Sequence, residues 1–173
     1  QIDDAISVIN YKDLTVNGDL VTSGKGQMLD LGATGKGIAC DKARSVLEKT
    51  SVKSAVISVG GSILCYGSDP DSKDGRWTIG IRDPSGSEND YCMTASVKGG
   101  NCISTSGDYE KVLVENGKTY FHILDPQTGY PVKTNVTSVT VISRSGLLSD
   151  ALSTACFSEG YGNKSLALLR KYD

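Results

Sequence analysis

Apolar positions recur along this chain in two rhythms, and each predicts its own kind of element. From Gly37 to Thr50 the residues Ala39, Ala43, Val46 and Leu47 return at helical spacing, with Lys42, Arg44, Glu48 and Lys49 on the other side, which predicts an amphipathic helix lying on a sheet. A second helix is predicted over Asp150 to Glu159, with Ala151, Leu152, Ala155 and Cys156 on one face and Asp150, Ser153 and Thr154 on the other. Shorter helices are expected at Asp3 to Ile9 and Lys164 to Lys171. Between these blocks the pattern shifts to strand-like runs: Ala55 to Val59, Ile63 to Tyr66, Trp77 to Ile81, Tyr91 to Val97, Tyr120 to Leu124 and Ser138 to Ile142. Most are separated by Gly, Pro, Asp or Ser clusters. Asn17-Gly18 between β-formers predicts a further hairpin. Helices in one early and one late block around runs of strands point to an α+β fold with a mostly antiparallel sheet, not a doubly wound one. No internal repeat or low-complexity linker divides the chain, so residues 1–173 read as one domain.

Composition narrows the function. Eighteen basic residues against twenty acidic ones give a net charge of −2 with no long run of either sign, which removes the electrostatic footprint of a nucleic-acid binder. The apolar run from Ser54 to Tyr66 is broken by Gly60 and Gly61 and falls well short of the ~20 residues needed to cross a bilayer, so no transmembrane segment is expected. Twenty glycines without a collagen-like period belong to turns and close backbone approaches, which directs attention to binding loops. The five cysteines form no CxxC pair; Cys92 and Cys102 could crosslink a hairpin, against a set of buried or partly buried free thiols. A single histidine, His122, excludes HExxH metalloproteases and His-rich metal sites. The chain starts with Gln1, consistent with a processed chain or an excised portion of a longer protein.

Four segments carry candidate chemistry, each with a plainer alternative. Asp30 to Gly37 is a glycine-rich loop opening a helix, able to present backbone N–H groups to an anion, or simply a connection. It is not a Walker loop, because Asp30 and Gly37 stand where Gly and Ser or Thr are required. Val59-Gly60-Gly61 ends a strand and either brings bare backbone to a cleft or makes a turn. His122 opens the loop that runs through Asp125, Pro126, Gly129 and Pro131, where proton transfer is feasible and a structural role equally open. Asp150 and Thr154, four residues apart on one helix face, suit a hard cation such as Mg²⁺; Ser149 or Asp150 would also serve as a helix cap. Ser104 to Glu110 reads as a polar turn leading into a helix or strand.

Taken in order, DLGATGKGIACD (30–41), SVGGSI (58–63), STSGDYEK (104–111), HILDPQTGYP (122–131) and SDALSTA (149–155) resemble the ApbE-type FAD:protein FMN transferases, also called flavin-trafficking proteins. The resemblance runs over nearly the whole chain and corresponds to the middle and later parts of a typical member. The family's N-terminal segment and last strand find no counterpart. What the resemblance implies is a T-fold-related α+β architecture that holds FAD and, with Mg²⁺, moves FMN to a threonine hydroxyl of a target flavoprotein with release of AMP. By position in the motifs, Asp30, Lys36 and Leu124 would contact FAD, with Asp108 and Tyr109 shaping the cleft. The Ala33 carbonyl, Asp150 and Thr154 would hold Mg²⁺, and His122 would be the base for the acceptor hydroxyl. The alternatives are Mg²⁺-dependent hydrolysis of FAD and a non-catalytic flavin-binding remnant. An extracytoplasmic location, lipid-anchored in a parent protein, is also implied; five cysteines accord with it where they are buried or the surroundings anaerobic.

Overall fold

The computed structural model describes residues 1–172. Helix α1 (Ile2–Ser7) and a 3-10 turn at Tyr11–Asp13 precede a hairpin of β1 (Thr15–Asn17) and β2 (Leu20–Thr22). Helix α2 (Gly35–Leu47) leads to β3 (Ala55–Val59), β4 (Ser62–Tyr66), β5 (Trp77–Arg82), β6 (Tyr91–Val97) and β7 (Asn101–Gly107). Strands β8 (Leu113–Glu115), β9 (Lys118–Tyr120) and β10 (Ser138–Ser143) follow, then α3 (Gly146–Glu159) and α4 (Asn163–Lys171). The central sheet has the order β10-β7-β4-β3, and every pairing in it is antiparallel. The architecture is therefore α+β with an antiparallel sheet, as the patterning predicts.

Period-two alternation on β4 and β7 places the core on both faces of that sheet. Leu64 and Cys102 face Cys40 of α2, with Ala43, Leu47 and Ile57 around them. Cys65 and Ile103 point the other way and pack with Ile79 and Val97 of the β5–β6 ribbon. Helices α2 and α3 lie on the first face, the ribbon on the second. Serines let α3 come close to the sheet: the Ser62 and Ser104 hydroxyls are 2.9 Å apart, Ser104 and Ser149 3.0 Å, and Ser106 and Ser153 2.9 Å. All these serines are buried, so each hydroxyl is satisfied by another rather than by water.

Segment 104–107 is no polar turn but the end of β7, an inner strand; its serines looked solvent-bound only because their partners lie on β4 and α3. The strand expected over Tyr120 to Leu124 stops at Tyr120, and only Leu124 is bridged, to Pro131. Apolar residues there serve as anchors: Phe121 meets Phe157 edge-on at 5.8 Å, and Ile123 is buried. Strands β8 and β9 form a further hairpin, outside the predicted elements but for Tyr120, around Asn116-Gly117, whose φ of 50° and 72° suit the same turn signal as Asn17-Gly18. The two main helices each begin earlier than predicted. All five cysteines are free; Cys92 is exposed and the other four buried, so no Cys92–Cys102 crosslink forms.

Candidate functional site

The site grows from the crossing of α2 and α3. Gly37 and Gly146 meet there so closely that a Cβ on Gly37 would stand 2.0 Å from the Gly146 carbonyl oxygen, and one on Gly146 2.3 Å from that of Gly37. Each helix supplies, four residues after its glycine, an aspartate that caps the other. The Gly37 N–H donates to Asp150 Oδ2 at 2.9 Å. In return Asp41 accepts from the Gly146 and Leu147 N–H groups at 2.8 and 3.0 Å. Carboxylates placed against orphan N–H groups at a helix N-terminus gain from the aligned peptide dipoles. The capping alternative for Asp150 is thus realised across the fold rather than on its own helix, whose cap is Ser145, accepting from the Leu148 N–H at 3.2 Å.

Asp150 is 1% exposed and uses only one oxygen on that cap. Its Oδ1 lies 3.1 Å from Lys36 Nζ, which also donates to the Gly32 carbonyl at 3.2 Å. The Lys36 ammonium neutralises Oδ1 by proximity but is not aligned with it, so this buried oxygen accepts no hydrogen bond. Above it opens a cleft of about 550 Å³. It is lined by Asp30, Ala33 and Lys36 of the 30–36 loop, by Thr105 and Ser106 of β7, by Thr154 of α3, and by His122 and Leu124. Asp30 Oδ1 accepts from the Gly32 N–H at 2.6 Å, which folds the loop back on itself. Gly60, at φ 51°, adds bare backbone, and a Cβ there would stand 3.5 Å from the Lys36 stem.

His122 is exposed, with Nδ1 3.2 Å from the Glu110 carbonyl oxygen. A carbonyl only accepts, so Nδ1 is the donor in this contact, which leaves Nε2 as the ring nitrogen that can face a ligand. Thr154 Oγ1 is 3.0 Å from Ser106 Oγ. Of the residues singled out in the sequence, Asp30, Ala33, Lys36, His122, Leu124 and Thr154 line one cleft, and Asp150 lies beneath it. Asp108 and Tyr109 are not among its lining residues. β7 ends at Gly107, and the Tyr109 ring turns back against that glycine, under the Arg82 guanidinium at 4.9 Å. Sequence reasoning missed Ser106, Glu110, Lys111 and Ser158, which also line it. It missed Asp41 too, although the spacing of Gly37 to Asp41 repeats in Gly146 to Asp150.

Comparison with known protein families matches the ApbE family over residues 1–173. The chain belongs to the ApbE family. A Treponema pallidum protein named FAD:protein FMN transferase is 41% identical over 154 residues, 85% of this chain and 42% of the relative. One of the same name from Klebsiella pneumoniae is 35% identical over 148 residues, 86% of this chain and 44% of its own. The crystal structure of the ApbE protein from Thermotoga maritima superposes with a TM-score of 0.83 at 34% identity, covering 99% of this chain and 54% of that one. The apo form of the Pseudomonas stutzeri flavinyl transferase ApbE gives 0.77 at 31% identity, with 99% and 52% covered. This ApbE chain thus spans about half the length of the relatives it matches.

The donor set in this ApbE cleft fits a hard divalent cation. Among the described residues no three His, Cys, Asp or Glu side chains cluster as a metal group. One buried carboxylate oxygen without a donor, a threonine hydroxyl and loop carbonyls are the hard oxygens that Mg²⁺ takes from protein when phosphate and water complete its shell. No helix among the described residues is long and apolar enough to cross a membrane.

Proposed function

We propose that this chain carries the catalytic cleft of a FAD:protein FMN transferase, moving FMN from FAD to a threonine hydroxyl of a target flavoprotein with release of AMP. The observation that carries the reading is the convergence of Lys36, Thr154 and His122 on one cleft over the half-satisfied carboxylate of Asp150. The names borne by the relatives supply the substrate class. Lys36 brings an ammonium to the pyrophosphate, where charge must be neutralised as the bond from the FMN phosphorus to the bridging oxygen breaks. Asp30, with one oxygen engaged by Gly32, keeps the other for a donor on the nucleotide. Leu124, half exposed in the cleft wall, offers an apolar face to the flavin.

His122 Nε2 takes the proton from the threonine hydroxyl as its oxygen bonds to the FMN phosphorus, and AMP departs with the bridging oxygen. Mg²⁺, held by Asp150, Thr154 and the Ala33 carbonyl, would supply further charge neutralisation on the phosphates. Asp108 and Tyr109 take no direct part in this scheme. An extracytoplasmic location belongs to the same proposal.

The test is mass spectrometry of a purified flavoprotein domain bearing an acceptor threonine after incubation with this chain, FAD and Mg²⁺, with AMP followed in parallel. An FMN adduct on threonine with stoichiometric AMP is the expected result. AMP and free FMN without adduct would make the chain a FAD hydrolase, and bound FAD with neither product a flavin-binding module.

A further inference from the structure

Lys36 makes two contacts that together resemble those of a metal ion more than those of a ligand-binding lysine awaiting its substrate. Its Nζ sits 3.1 Å from the buried Asp150 Oδ1 and 3.2 Å from the Gly32 carbonyl oxygen, between a carboxylate of α3 and the loop that opens α2. The contact with Oδ1 is one of charge without alignment, since that oxygen accepts no hydrogen bond. The carboxylate is 1% exposed while the Lys36 side chain is 33% exposed, so the lysine is the partner free to leave. Gly60 borders the Lys36 stem with bare backbone, and even a Cβ there would make only ordinary contact with Lys36 Cδ at 3.5 Å, so the stem has room to move.

We propose that Lys36 is a place-holding cation: its ammonium neutralises Asp150 until a divalent cation takes over that oxygen, and the displaced ammonium then turns into the cleft to meet the phosphates of the nucleotide. The inference rests on the reading of this cleft as cation-assisted and adds an order of events to it. A buried carboxylate with no counter-charge is costly, so the protein holds a cation of its own there. Two positive charges cannot share Oδ1 and its surroundings without repulsion, so entry of the metal and release of the lysine are one exchange. Metal binding thereby arms the phosphate-binding residue, and the two ligands favour each other's binding.

The experiment is titration of EDTA-treated, dialysed protein with Mn²⁺, followed by loss of the free-ion electron paramagnetic resonance signal, without FAD. Wild type is compared with Lys36→Met, which keeps the stem and removes the charge, and with Lys36→Gln. Removing the competing ammonium is expected to tighten Mn²⁺ binding by about tenfold or more in both variants. Their melting temperatures should fall in EDTA and recover on adding Mn²⁺. Adding pyrophosphate should raise the melting temperature of Mn²⁺-loaded wild type more than that of either Mn²⁺-loaded variant.

Unchanged or weaker Mn²⁺ binding in the variants, with wild type binding normally, would overturn the place-holder while leaving the cation site standing. Absence of Mn²⁺ binding in wild type, with Asp150→Asn indistinguishable from it, would overturn the cation reading and the place-holder with it. Should neither Lys36 variant fold, wild type still decides the matter through labelling of its lysines by an amine-reactive reagent, read by mass spectrometry. Labelling of Lys36 is expected to rise on adding Mn²⁺ relative to the other lysines, and no change would refute the exchange.

Discussion

The crossing of α2 and α3 predicts opposite outcomes for one substitution made two residues apart. In Gly37→Ala the new methyl would stand 2.0 Å from the Gly146 carbonyl oxygen and 2.8 Å from Asp150 Cβ, where ordinary contact begins near 3.4 Å. Neither obstacle is the free end of a flexible side chain, so the helices must part. Overpacking of this kind costs about 1–3 kcal/mol. Stretching the charge-assisted bond from the Gly37 N–H to Asp150 adds about 1.5–3 kcal/mol, and the better helix propensity of alanine returns about 1 kcal/mol. A net loss of about 3 kcal/mol follows, a fall of about 6–12 °C in Tm for a chain of this size. Gly35→Ala, one residue into the same helix, meets only Leu31 Cβ at 4.0 Å and should be neutral or stabilising by up to about 1 kcal/mol. Urea and thermal unfolding of both variants make the assay. If Gly37→Ala lay within about 0.5 kcal/mol of Gly35→Ala, the close crossing and the capping built on it would be refuted.

Further outcomes follow from the same geometry. Asp150→Asn should abolish the gain in Tm given by Mg²⁺ while costing about 1–3 kcal/mol of stability, whereas Asp41→Asn should cost at least as much and leave the Mg²⁺ effect in place, both read by melting with and without metal. His122→Gln should lower the rate of FMN transfer about 10²–10⁴-fold and leave stability within about 0.5 kcal/mol, because the ring is exposed; a matching loss of Tm would make His122 structural. Burial pushes the Cys65 thiol up to about 11, and the Cys102 thiol to about 11 although Arg44 partly offsets it. The unfolded chain therefore releases these protons first as pH rises, so stability should hold below about pH 9 and fall from there toward pH 11, by about 2–3 kcal/mol per thiol. Urea unfolding across that range should show a flatter decline for Cys65→Ala and Cys102→Ala, and an unchanged slope would show that the thiols do not govern it.

Much of this fold is legible in the chain because α2 and several strands carry an apolar pattern set by the layer they pack against. Ala39, Ala43 and Leu47 announce α2, and the runs at 55–59 and 91–97 coincide with strands. What escapes is where burial is polar. Ser104 and Ser106 look like turn residues because nothing local shows that Ser62, Ser149 and Ser153 will satisfy them. Conversely Phe121 and Ile123 look like strand residues although they anchor an irregular segment. The site follows the same division. His122 is marked by its place at the mouth of a loop, and Asp30 and Lys36 by their positions in motifs that resemble the ApbE family, while the partnership of Gly37 with Asp150 spans 113 positions and carries no local trace.

The two aspartates that cap the crossing differ in how fully their oxygens are satisfied. Asp41 is closed: its oxygens meet two backbone N–H groups and the Ser145 hydroxyl, with the Arg44 guanidinium 3.4 Å away. Asp150, at the matching position of the other helix, spends one oxygen on Gly37 and turns the other toward a lysine that does not complete its hydrogen bonding. The same local device is thus saturated at one end of the helix pair and left open at the other, and the open end is where the glycine-rich loop, Gly60 and β7 leave room for a ligand. A carboxylate that fastens two helices and keeps a free oxygen is held rigidly by packing that owes nothing to the ligand, which is what a cation site needs before the substrate arrives. It also ties the site to the fold. Whatever neutralises Oδ1, lysine or metal, stabilises the crossing of α2 and α3, and any change that loosens the crossing displaces the oxygen on which the cleft depends.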